Sequence, residues 1–207
     1  MDNILYTTLD EEAVFELEEK RSVFIGYAIS VSNEEQAKEY IQKIKAKHHD
    51  ARHNCSAYLL RNGAMRYSDD GEPQGTAGIP ILEVIKKSGI VDVAVVVTRY
   101  FGGILLGAGG LVRAYSAAAA GALKEGKLAH YQRCTKFEIN VDYSQYDKLT
   151  RHMQNQNVRV CDTVYNDKIN VNGVISESGY SDFEKSVTEA FAGKLSVVYI
   201  ENVLEKL

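Results

Sequence analysis

The stretch "VDVAVVVTRYFGGILLGAGGLVRAYSAAAAGALKEG", Val91 to Gly126, decides the class of this chain. It opens with a continuous Val/Ala run closed by Arg99 and Tyr100, the pattern of a strand buried on both faces. From Gly107 onward the residues are small and apolar nearly all round, which suits a buried helix packed close to a sheet. Between the two lies a glycine-rich helix entrance. A fully buried strand feeding a close-packed helix predicts a protein of mixed helix and sheet.

Working outward, "KRSVFIGYAISV" (20–31) and "HNCSAYLL" (53–60) read as further strands. Ser32, with Glu35 three residues on, is the expected capping box of a helix running to about Lys47. A second glycine-rich entrance, "YSDDGEPQGTAGIPIL" (67–82), leads into a helix that ends in a basic turn and Gly89. After Leu128 the pattern changes. "KFEINVDY" alternates as a strand, Ser144 opens a helix to about Asn155, and "VRVCDTVY" and "KINVNGVI" are strands joined at Asn166-Asp167. Ser181 with Glu184 is expected to cap another helix before the last strand, "SVVYIENVL". Strand-helix-strand-strand-helix-strand is the split βαβ, ferredoxin-like order. The change of pattern places domains at 1–130 and 131–207.

Composition narrows the function classes. No run of 18 apolar residues occurs, so no membrane span is expected. The acidic start lacks the basic-then-apolar order of a secretory signal. A cytoplasmic location is expected. Three cysteines, far apart and without C-x-x-C, indicate neither a disulfide framework nor a zinc ribbon. The net charge of −4 is uneven: residues 20–130 carry 15 basic and 10 acidic side chains, and residues 131–207 carry 9 and 11. The middle of the chain can therefore present a positive face that the total conceals.

Chemistry-bearing residues cluster in the two glycine-rich entrances. "GALKEGKL" (121–128) has Leu128 where a phosphate loop needs Ser or Thr. "GAGGLV" (107–112) lacks the last glycine of a dinucleotide fingerprint, so no cofactor is expected. His49 and His53 are four apart where a helix is ending, and no metal is expected there. Asp69, Asp70, Glu72 and His53 would form an acid-base centre if they converged in a cleft. Alternatively the entrances expose backbone N–H groups at positive helix ends, where anions bind. That reading selects Gly71, Gly75, Thr76 and Gly78 in one entrance, and Gly102, Gly103, Gly107, Gly109 and Gly110 in the other. Arg99 and Arg113 either pair with the carboxylates or meet a ligand phosphate, Tyr100 and Phe101 stack on a base, and Lys20 and Arg21 extend the basic surface.

The motifs "KRSVFIGYA", "YSDDGEPQGTAGIPIL" and "VVVTRYFGGILLGAGGLVRAYS" together resemble the YigZ/YvyE–IMPACT family, over about residues 18–130. The remainder looks like the small second domain of its bacterial members. The resemblance implies an α+β protein. Its first domain would be a two-layer α/β unit like domain IV of elongation factor G, with a left-handed βαβ crossover, and its second ferredoxin-like. It implies a translation-associated binding protein that contacts RNA or the ribosome, with no membrane partner and no DNA specificity. The rival expectations are an enzyme acting on a small phosphorylated or peptide-like substrate at the Asp69/Asp70/Glu72/His53 cluster, and a module that binds another protein.

Overall fold

The computed structural model describes residues 4–206; residues 1–3 and 207, which the two expected domain ranges include, lie outside it. The chain divides into two compact units. One is Tyr6–Ala129, and the other runs from His130 and includes Ile4 and Leu5.

In order the elements are β1 (Ile4–Leu9), β2 (Ala13–Glu19), β3 (Ser22–Ser30), α1 (Glu34–Lys47), β4 (His53–Leu59), β5 (Met65–Ser68), α2 (Gly78–Ser88), β6 (Val93–Tyr100) and α3 (Ala108–Glu125). The strand order of the first sheet is β2-β3-β6-β4-β5, every neighbouring pair antiparallel. β6 is therefore the central strand, as its unbroken apolar run demands, and all its residues from Val93 to Arg99 are buried. Alternation divides its side chains between two cores. Val93, Val95 and Val97 join α2 and α3 on one face; Ala94 and Val96 join Tyr40 and Ile44 of α1 on the other. The sheet is thus covered on both faces, giving three layers in place of the expected two.

Local signals fix the helix ends. The cap of α1 is Asn33, one residue beyond the expected Ser32: its Oδ1 accepts from Gln36 N at 2.9 Å, and Gln36 Oε1 accepts from Ser32 N at 2.8 Å. The box is the expected device shifted by one residue. Gly89 ends α2 in the left-handed region, φ 71°. The α3 backbone lies so close to β3 that a Cβ on Gly26 would fall 2.4 Å from the Ala118 carbonyl oxygen.

The second unit contains β7 (Leu128–Val141, of which His130 onward belongs here), α4 (Tyr143–Gln154), β8 (Arg159–Tyr165), β9 (Ile169–Ser176), α5 (Tyr180–Ala190) and β10 (Val198–Lys206). Pairing gives the spatial order β10-β7-β9-β8, all antiparallel, which is the ferredoxin-like arrangement. Its core joins Phe137, Ile139 and Val171 of the sheet to Leu149, Met153 and Phe183 of the helices. The expected Ser181 cap is corrected. A 3-10 turn, Glu177–Gly179, precedes α5, and Ser176 Oγ accepts from Gly179 N instead.

Candidate functional site

The two glycine-rich entrances behave differently. After β5 the chain folds back through Asp70 (φ 44°) and Gly71 (φ 85°). The fold-back aims the Asp69 carboxylate at the start of α2. Oδ2 accepts from Gly75 N at 2.8 Å; Oδ1 accepts from Ala77 N at 3.1 Å and Gly78 N at 2.8 Å. An internal anion already occupies the positive end of this helix. Thr76 is buried, with Oγ1 donating to the Pro73 carbonyl at 2.6 Å. A Cβ on Gly78 would meet the Ser68 backbone at 2.8 Å, so glycine is needed there for close packing. Gly75, Thr76 and Gly78 are thus parts of a self-closed turn, and their N–H groups do not face a ligand as expected.

The other carboxylates are committed as well. Asp70 pairs with Lys45 Nζ at 2.6 Å and accepts from Asn54 N at 2.7 Å. Glu72, only 8% exposed, accepts from Arg99 Nη1 at 2.6 Å and from the Tyr115 hydroxyl at 2.8 Å. Two buried charges of opposite sign in direct contact offset their desolvation. Burial holds the Tyr115 hydroxyl well above its usual range, and burial likewise pushes the Cys55 thiol up to about 12, so both stay neutral. Arg113 is not the partner of these acids; it projects from the exposed side of α3. The convergent quartet required of an acid-base enzyme does not form. Glu72 and His53 approach each other, 3.8 Å apart, while Asp69 and Asp70 are spent on backbone and Lys45. Among the described residues no three His, Cys, Asp or Glu side chains gather as a metal site would need.

The α3 entrance is open. Its N-cap, Gly107, supplies no side-chain acceptor, and the first turn holds no acid. Gly107 and Ala108 instead border a cavity of about 340 Å³. Arg52, His53, Glu72 and Arg99 supply its polar wall; Phe101, Leu105, Leu106 and Leu111 supply the apolar one. Arg99 is 6% exposed, and its guanidinium lies 5.5 Å from the Phe101 ring centre. Nη1 is the nitrogen bonded to Glu72, and Nε is buried without a hydrogen-bond partner. Arg52 lies 5.8 Å from the same Phe101 ring. His53 Nδ1 is 2.8 Å from the Asp70 carbonyl, which only accepts, so Nδ1 carries the proton and Nε2 is the nitrogen nearest Glu72. Sequence reasoning missed Arg52. The signal was there, since a basic side chain directly precedes the strand that carries His53.

The loop after β6 also borders a smaller cavity of about 190 Å³, shared by Lys20, Leu106, Gly110 and Arg113. Lys20 and Arg21 form the two-residue turn of the β2–β3 hairpin, both with positive φ. A Cβ on Gly102 would sit 1.9 Å from the Arg21 carbonyl oxygen, so this glycine locks the loop against the hairpin turn. Gly103 and Gly109 are exposed, and Leu105 at the loop tip is 82% exposed. The structure therefore gathers Lys20, Arg21, Arg99, Phe101 and Arg113 around one loop, with Arg52 added. Tyr100 does not belong with them. Strand alternation turns it to the α1 face, where its hydroxyl donates to Asp50 at 3.0 Å and meets His48 Nδ1 at 2.8 Å. The second nitrogen of His48 meets the Tyr27 hydroxyl at 2.7 Å, and burial lowers the pKa of this ring.

The family model for the Impact N-terminal domain matches residues 20–123, and that for Domain of unknown function (DUF1949) matches 139–194. The chain is 36% identical over 194 residues to IMPACT family member YvyE of Bacillus subtilis, covering 93% of this chain and 89% of that one. It is 30% identical over 186 residues to IMPACT family member YigZ of Escherichia coli, covering 88% and 91%. A solved structure described as a hypothetical protein superposes with a TM-score of 0.60 at 28% identity, covering 95% of this chain and 97% of its own.

Proposed function

The chain belongs to the IMPACT family, and from that premise we propose that it is a translation-associated binding protein of the cytoplasm that contacts RNA or the ribosome through the α3 entrance. One observation carries the proposal: an uncapped 18-residue helix points its N-terminus at a cavity walled by Arg52 and Arg99. Free N–H groups, a positive helix end and guanidinium groups are the donors that phosphate oxygens accept from. Lys20 and Arg113, together with Glu19, line a second cavity that shares Leu106 with the first. Phe101 adds an exposed ring on which a base stacks. The first unit supplies this surface; residues 131–207 carry more acids than bases and suit a different role.

The test is a titration of single-stranded RNA, and of ribosomes by co-sedimentation, at rising salt. Phosphate contacts release counterions, so log affinity falls by about 0.7 per phosphate neutralised on a single strand for each tenfold rise in salt. Arg52→Ala, at an exposed position, is expected to weaken binding about tenfold and flatten the slope. Absence of binding to both RNA and ribosomes at about 50 mM salt contradicts the proposal.

A further inference from the structure

The shape of the α3 cavity specifies the kind of phosphate it admits. We infer that it takes the terminal phosphate of an RNA strand, with the attached nucleoside, in preference to the internal diesters of the backbone. The inference rests on the anion-binding reading above and sharpens it. Arg99 is 6% exposed and is reached through the cavity. Backbone diesters running along a surface meet exposed cations such as Arg52; a recessed guanidinium is met by a group that protrudes. A chain end protrudes, and a terminal phosphomonoester carries about 1.5 to 2 negative charges at neutral pH, where each diester carries one.

The walls match such an end. Glu72 already satisfies Nη1 of Arg99, while the buried Nε has no partner. Donors border the cavity from the Arg99 guanidinium, from Arg52 and from the first turn of α3. Opposite them, Phe101, Leu105, Leu106 and Leu111 present apolar surface to a sugar and base. The volume of about 340 Å³ lies at the small end of ligand pockets, right for one nucleotide and too small for several.

Four forms of one short single-stranded RNA test this with the full chain at one salt concentration: 5′-phosphorylated, 3′-phosphorylated, hydroxyl at both ends, and circular. The expected result is that one phosphorylated form binds at least about tenfold more tightly than the hydroxyl-ended and circular forms. The variant Ala108→Asp places a carboxylate at the exposed first position of α3, where an acid favours the helix, so it folds. It is expected to abolish the preference for the phosphorylated end. Equal binding of all four forms overturns the inference and leaves RNA binding standing. So does a preference that survives Ala108→Asp, because the end is then bound elsewhere. Failure of every form to bind at about 50 mM salt sinks the inference and the RNA reading together.

Discussion

The two helix entrances of the first unit look alike in sequence and differ in one respect: at the α2 entrance a carboxylate of the chain accepts from the helix's own N–H groups. Asp69 fills the N-terminus of α2 with three hydrogen bonds, and its neighbours pack it shut. The N-terminus of α3 has no side-chain acceptor and opens on a cavity with two arginines in its wall. Glycine richness before a helix therefore does not mark an anion site.

The largest expected effect concerns the buried pair that separates the two entrances. Glu72→Ala strands the Arg99 charge and is expected to cost about 3–5 kcal/mol in urea unfolding. A loss below about 1 kcal/mol means that Arg99 finds solvent in the variant. Asp69→Ala is next, at about 2 kcal/mol, because it removes a charged cap from three N–H groups. That variant also makes the closed entrance resemble the open one, and inorganic phosphate should restore part of the stability. The third effect lies outside both entrances. Burial lowers the pKa of His48 below its ordinary 6.5, so the unfolded chain takes up this proton first. The His48 contribution is present above pH 6.5 and declines as the pH falls below it. Thermal scans between about pH 7 and pH 5 should show a flatter slope for His48→Gln than for wild type. The smallest effect is that of Ala108→Asp on stability, a gain of about 0.3–1 kcal/mol from an acid in the first turn of α3.

Much of the frame was legible in the sequence because its signals are local and periodic. The Val/Ala run of β6 and the small-residue face of α3 needed no tertiary information. β1, β2 and β5 went unread. β2 sets Glu16 and Glu18 on its solvent side and ends at Glu19, so its alternation reads as an acidic tail. β5 is a four-residue edge strand, too short for a period. The site was harder. Asp69 reaches the helix through a turn with Asp70 at positive φ, which no spacing rule supplies. Arg113 sits on a helix whose composition hides its exposed side. The placement of Tyr100 away from Arg99 was legible, because adjacent residues of one strand point to opposite faces.

The most direct measurement is the affinity of single-stranded RNA for wild type and for Ala108→Asp at about 50 and about 200 mM salt. An open, anion-binding α3 entrance predicts binding by wild type that falls steeply with salt. The variant should bind at least about tenfold more weakly at the lower salt, with a slope flatter by about 0.7 for each phosphate it no longer neutralises. Equal affinities and equal slopes for the two proteins would show that RNA does not use the α3 entrance.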